Sequence, residues 1–255
     1  MVERKSSTLK VLHTADVHLD PDAMNGTQRA QVRSLYRDRF GMIIDKAMRH
    51  NIDLFLIAGD LFDSNRASQG TIDFVVEQLN RLDCPTVILP GNHDCLNYNP
   101  IYERVDFEAA CSNVRVITDP QGTLLKFPEL NIVLWGRAMI EHAPTFRPLG
   151  GLPPRQDGQW HIALAHGLFL ADGMETYRSS PILPAEIRDS GWDYVALGHH
   201  HAFTDVSQGE VTAYYPSAPV NLWTPSAHQG YVLLLSLDSE QGIQVIPEQV
   251  SPNHE

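Results

Sequence analysis

Leu54-Phe55-Leu56-Ile57-Ala58-Gly59-Asp60-Leu61-Phe62-Asp63 is the stretch from which the fold of this chain can be read. An unbroken apolar run with aromatic and branched members has the signature of a strand covered on both faces. A glycine followed by a carboxylate stops it. In open α/β sheets, ligands bind in the crevice beyond the carboxyl ends of the strands. Asp60 therefore belongs at the lip of such a crevice, with Gly59 letting the backbone come close.

Working outward, the same grammar recurs four times. A strand at 9–13 leads into Asp16-Val17-His18, and one at 85–89 leads into Gly91-Asn92-His93-Asp94. Strands at 161–165 and 193–197 end at His166-Gly167 and Gly198-His199-His200-His201. Between them, Val32, Leu35, Phe40, Ile43, Ile44 and Ala47 predict a helix over 27–50. Ile72, Val75, Val76, Leu79 and Leu82 predict a second over 69–82. A helix at 101–111, strands at 114–117 and 131–135, and a short helix near 184–190 are also expected. Residues 136–158 and 168–183 read as long surface loops. Segments 211–215 and 230–237 alternate in the manner of antiparallel strands, with a third at 243–247. No repeat or linker interrupts the pattern, so one domain is expected over 1–255, with its core at about 9–237.

Composition narrows the partners. Acidic side chains number 31 against 19 basic ones, a formal net charge of −12, which opposes non-specific binding to nucleic acid through Lys and Arg. No basic cluster interleaved with aromatics reads as a nucleic-acid track. Local positive charge would have to come from bound cations. Cys84, Cys95 and Cys111 have neither zinc-like nor redox spacing, as expected of reduced thiols in a cytoplasmic protein. The N-terminus lacks the apolar stretch of a signal peptide, and no run approaches membrane-span length, so no membrane association is expected.

If the five strands share one direction, their ends gather carboxylates, imidazoles and a carboxamide at one edge. That donor set suits divalent transition metals rather than soft ions. In Asp-x-His and His-x-His on extended chain, alternate side chains share a face, so both can look at one ion while His200 looks away. His13, His50, His142, His161, His228 and His254 are expected to be core or surface groups.

These five blocks, in this order, resemble the signature of the calcineurin-like metallophosphoesterases over about residues 9–237. Within that superfamily, Leu12-His13-Thr14-Ala15-Asp16-Val17-His18-Leu19, Gly59-Asp60-Leu61-Phe62-Asp63 and Asp193-Tyr194-Val195-Ala196-Leu197-Gly198-His199 resemble SbcD-like and Mre11-like DNA-repair exonucleases. Tyr215-Pro216-Ser217-Ala218-Pro219 is similar to a further segment of theirs. The resemblance implies an α/β fold of two mixed β-sheets packed face to face and flanked by helices, in four α/β/β/α layers. It also implies two divalent ions. Asp16, His18 and His201 would hold the first, Asn92, His166 and His199 the second, and Asp60 would bridge them. A water between the ions would be acidified to hydroxide and attack phosphorus in line. His93 would act as general acid toward the leaving oxygen.

Manganese is expected from the nuclease resemblance, while the donors alone suit iron and zinc equally. Asp63 and Asp94 either orient His18 or His93 or anchor loops. Arg66 and Arg137 follow strand ends and either clamp a substrate phosphate or lie solvated at the surface. The expected substrate is a phosphodiester in DNA or a nucleotide. The alternatives are a small phosphoester shaped by the two long loops, or a non-catalytic scaffold, against which the complete ligand set stands. Ser64 occupies the position where protein Ser/Thr phosphatases carry an arginine, which disfavours that branch. Neither a capping domain nor an ATPase-docking segment is evident, so whether an ATPase partner exists is not legible. The oligomeric state is not legible.

Overall fold

The structure, a computed structural model, describes residues 8–21, 27–156, 158–220 and 230–250. The chain runs β1 (Leu9–Thr14), α1 (Thr27–His50), β2 (Leu54–Ala58), α2 (Gln69–Leu79), β3 (Thr86–Leu89), α3 (Ile101–Arg104), α4 (Phe107–Ala110) and β4 (Val114–Val116). It continues as β5 (Thr123–Phe127), β6 (Ile132–Gly136), β7 (Trp160–His166), β8 (Leu168–Phe169), β9 (Pro181–Ile182) and α5 (Pro184–Ser190). Last come β10 (Tyr194–Gly198), β11 (Thr204–Asp205), β12 (Thr212–Tyr215), β13 (Tyr231–Asp238) and β14 (Gly242–Gln249).

Two mixed six-stranded sheets result, ordered β14-β13-β1-β2-β3-β4 and β11-β12-β10-β7-β6-β5. β2 shows why its sequence is apolar throughout. Leu54, Leu56 and Ala58 point into the layer between the sheets, against Ile162, Leu164 and Ala196. Phe55 and Ile57 point the other way, against Phe40, Ile43 and Ile44 of α1 and Ile72, Val75 and Leu79 of α2. The outer face of the second sheet buries Ala163, Val195 and Leu197 against Ile187 of α5 and Trp192. Helices, sheet, sheet and helix thus form the four expected layers.

Parallel pairing of β1, β2, β3 and β4, and of β6, β7, β10 and β12, sends the carboxyl ends of each set to one edge.

Several local expectations need correction. β12 is not antiparallel to β13; it pairs parallel with β10 in the other sheet, while β13 runs antiparallel to β1. Alternation reports that one face is covered and carries no information on strand direction. The helix expected at 101–111 is two short helices, because Val105 is extended and the Asp106 carboxylate caps a new start by accepting from Ala109 N–H at 3.0 Å. In α1, Tyr36 is buried where the spacing points to Leu35, which is half-buried. β5, β11 and the β8–β9 pair are additions to the expected elements; the last lies inside the expected loop at 168–183. The sheet also extends past residue 237 through β14. Among the described residues no helix is long and apolar enough to cross a membrane.

Candidate metal centre

The strand ends are laced together by backbone first. Asp16 N–H donates to Gly59 O at 3.1 Å, and His18 N–H to Asp60 O at 2.9 Å, which sets the first two motifs side by side. Across the sheets, His199 N–H donates to both Asp16 carboxylate oxygens at 3.0 Å, and His166 Nδ1–H donates to Ala58 O at 2.9 Å. Glycines make this approach possible. A β-carbon at Gly59 would land in the His166 ring, one at Gly91 on the Asp60 carboxylate, and one at Gly198 on Ala58 O. Asp16, His18, Asp60 and His199 all hold positive φ, at 55°, 51°, 53° and 100°. Such backbone costs on the order of 1–3 kcal/mol per residue and concentrates at functional sites.

The side chains then fall into two clusters joined by one carboxylate. Asp60 Oδ2 lies 3.7 Å from His18 Nε2 and 3.4 Å from His166 Nε2, while Oδ1 accepts from His93 N–H at 2.8 Å. On one side, His18 Nε2 faces His201 Nε2 at 3.1 Å, and His201 Nε2 lies 3.6 Å from Asp16 Oδ1. On the other, Asn92 Oδ1 sits 3.0 Å from His166 Nε2 and 2.8 Å from His199 Nδ1. The ligand-capable atoms of Asp16, His18 and His201 lie within 4.8 Å of one another, as do those of Asp16, Asp60 and His166. Two imidazole nitrogens facing each other at contact distance need a proton or a cation between their lone pairs. The donor set and its convergence fit divalent cations.

Charge among these side chains follows from burial. Burial pushes the Asp16 carboxyl up to about 6. Burial also works to raise Asp60, but the His166 charge beside it outweighs this and holds that carboxyl well below the usual range. The same pairing lifts His166 to about 9 against its own burial. Burial, reinforced by neighbouring imidazoles, depresses His199 to about 3 and His201 to about 4. Asp60 and His166 would hold a divalent cation with His166 neutral, so its binding there would release a proton.

The sequence profile of the calcineurin-like phosphoesterases matches residues 9–203. The chain belongs to that family. Family members are phosphoester hydrolases that depend on two metal ions. The chain is 28% identical over 225 residues to YhaO of Bacillus subtilis (strain 168), an uncharacterized metallophosphoesterase. The match covers 82% of this chain and 52% of YhaO, so the chain spans about half the length of that relative. The crystal structure of TT1561 of Thermus thermophilus shares the fold, with a TM-score of 0.59 at 12% identity over 96% of this chain and 100% of that one. A second solved chain gives 0.55 at 13% identity, with the same coverage.

Around the two clusters, the remaining candidates separate. His93 stands T-shaped against His18, with ring centroids 4.6 Å apart, and donates Nδ1–H to Asp63 O at 2.9 Å. The Asp63 carboxylate reaches both His18 Nδ1 at 3.4 Å and His93 Nδ1 at 3.6 Å. Asp94 orients neither histidine. Its carboxylate accepts from Gly91 N–H at 2.7 Å, Phe62 N–H at 3.2 Å and Tyr102 O–H at 2.7 Å, so it anchors the Gly91-to-Asp94 turn on the end of β2. Arg137 is a loop clamp rather than a phosphate clamp. Its guanidinium donates to the carbonyls of Pro120, Arg147 and Gly150 and lies over the Phe146 ring. Arg66 is exposed in the turn after β2.

His200 turns away, against Tyr215. His13 and His161 are buried core groups, and His50 pairs with Glu248. His228 and His254 lie outside the described residues. His142 departs from the expectation of a core or surface group: its ring packs on His199 at 4.8 Å. The signal that would have found it is positional. β6 runs parallel to β7, so the loop after β6 is delivered to the same edge as His166.

Proposed function

We propose that this phosphoesterase cleaves phosphodiester bonds in DNA or nucleotides, with Asp16, His18 and His201 at one ion, Asn92, His166 and His199 at the other, and Asp60 shared. The observation that carries this reading is Asp60 Oδ2, placed within 3.7 Å of a nitrogen from each cluster. When bound, the ions supply an acidified water as nucleophile and positive charge to offset the phosphate. The chain's own groups do the rest. Asp60 and Asp16 hold the clusters in register, and Gly59, Gly91 and Gly198 keep the walls close. His93, with Nδ1–H committed to Asp63 O, has Nε2 left to hold a proton for the departing oxygen.

Nucleotide substrates are favoured by exposed aromatics on loops that follow the site strands. Tyr98, after β3, and Tyr177, between β8 and β9, are 95% and 87% exposed. Aromatic faces of this kind stack bases without regard to sequence. Small phosphoesters are the second reading, favoured by His142, which follows β6 and packs its ring on His199. Turnover of single-stranded DNA, cyclic nucleotides and bis-p-nitrophenyl phosphate by the manganese-reconstituted protein tests the choice. Cleavage of the DNA at a kcat/KM above that of the small esters is expected. Turnover confined to small esters would establish the second reading instead, and none on any phosphoester would leave only a scaffold.

A further inference from the structure

His142 is the histidine at this site to which the phosphoester chemistry above gives no part. Its ring lies 4.8 Å from that of His199, centroid to centroid, at 65°. Its Nε2 is buried and has no hydrogen-bond partner among the described residues. A buried, unsatisfied nitrogen costs on the order of 1–3 kcal/mol, so a role that supplies the missing bond is physically favoured.

The neighbouring imidazoles show what that bond is. A metal-ligating histidine engages its far nitrogen with an acceptor, which fixes the tautomer and the ring orientation. His166 does this through Nδ1–H to Ala58 O at 2.9 Å, whereas His18 Nδ1 only faces the Asp63 carboxylate at 3.4 Å and makes no hydrogen bond among the described residues. His199 directs Nδ1 at Asn92 Oδ1, which leaves Nε2 on the other side of its ring with no hydrogen bond among the described residues. It also sits on a backbone with φ of 100°, so its placement depends on what braces the side chain. The centre-to-centre distance permits nitrogen-to-nitrogen contact at hydrogen-bond length. The χ2 torsion of histidine is broad, so His142 can turn its edge without moving its loop.

We propose that His142 is a positioning residue for the second metal site: its Nε2 accepts a hydrogen bond from Nε2–H of His199 and holds that ring toward the ion. The inference rests on the two-ion reading above and adds the 136–158 loop to the metal centre.

Calorimetric titration of chelator-stripped protein with manganese, with metal content measured by mass spectrometry, tests it on wild type, His142→Ala, His142→Gln and His142→Phe. Thermal midpoints of the stripped proteins establish that each variant is folded. Wild type is expected to take up two ions. His142→Ala should bind the first as wild type does and the second about 10–100-fold more weakly. Its kcat should be low at limiting manganese and recover at high manganese, with KM unchanged. The amide oxygen of His142→Gln can accept the same bond and should restore most of the affinity, whereas His142→Phe, which keeps a ring but no acceptor, should not. Unchanged second-ion affinity in His142→Ala would overturn the proposal; if KM rose at the same time, His142 would be a substrate contact. Equal loss in the Gln and Phe variants would also overturn it, by reducing the role to packing. Fewer than two ions on wild type would sink the two-ion reading itself, a separate result from two ions on both wild type and His142→Ala.

Discussion

Asp60 has two tasks, one for each oxygen. Oδ1 accepts from the His93 backbone and so fixes the third motif, and Oδ2 lies between the clusters. Asp60→Asn keeps the size and removes the charge. Turnover of bis-p-nitrophenyl phosphate is expected to fall more than about 10²-fold, with metal content below that of wild type. Wild-type metal content with wild-type rate would contradict the shared role. His93 is expected to behave differently. His93→Ala should keep both ions and lose roughly 10²–10⁴-fold on alkyl phosphodiesters, but far less on p-nitrophenyl esters, whose leaving group needs no proton. An equal loss on both ester classes, or loss of an ion, would instead mark His93 as a ligand, since its ring nitrogen lies within 4.8 Å of the ligand atoms of His18 and Asp60. The residues that converge here stand in short motifs, each directly after a strand, and are legible for that reason. Asp94, Arg137 and His142 are not. Whether a carboxylate faces an imidazole or a backbone N–H, and whether an arginine is already committed to carbonyls, depends on loop paths that no periodicity encodes.

At the scale of elements, the carboxyl ends of β2, β7 and β10 meet through close contacts that leave no room for a methyl group. Gly198→Ala would press a β-carbon onto Ala58 O, the acceptor that orients His166. A loss of about 1–3 kcal/mol in stability is expected, with weakened binding of the second ion. Urea unfolding and metal titration read the two effects, and a variant with wild-type values for both would contradict the packing. Between the sheets, β1 places the buried His13 ring against the Tyr194 hydroxyl of β10 at 3.0 Å. Burial pushes that imidazole down to about 3, whereas the unfolded chain protonates it below about 6.5. The unfolded state therefore binds the extra proton between these values, and stability is lost as pH falls through that window, by up to about 1.4 kcal/mol per pH unit. His13→Phe should be less stable at pH 7, where Tyr194 loses its partner, yet fall less steeply toward pH 5 by one proton's worth. Parallel slopes in urea melts at pH 7, 6 and 5 would contradict this. The parallel strands of the core are legible because burial on both faces leaves an unbroken apolar run, as in β2 and β7. Short edge strands such as β5 and β11 bury little and leave no such trace, and the direction of β12 is set by its partner β10 rather than by its own residues.

For the whole molecule, a net charge of −12 and the proposed binding of anionic phosphate are reconciled by cations at the shared edge of the two sheets. Removing them should show in stability as well as in rate. With free ion at 100 times its Kd each site stabilises by about 2.7 kcal/mol, so the two together give about 5.4 kcal/mol, which in a protein of this size corresponds to roughly 10–20 °C in thermal midpoint. Chelated protein is expected to melt lower by about that amount and to be inactive, with both recovered on adding manganese; a midpoint indifferent to chelator would contradict it. The most direct test is anomalous diffraction from crystals of the manganese-reconstituted protein. Two anomalous peaks are expected, one among Asp16, His18 and His201 and one among Asn92, His166 and His199, with the Asp60 carboxylate between them. A single peak, or none, beside Asp60 would contradict the shared-carboxylate centre on which the proposed hydrolysis depends.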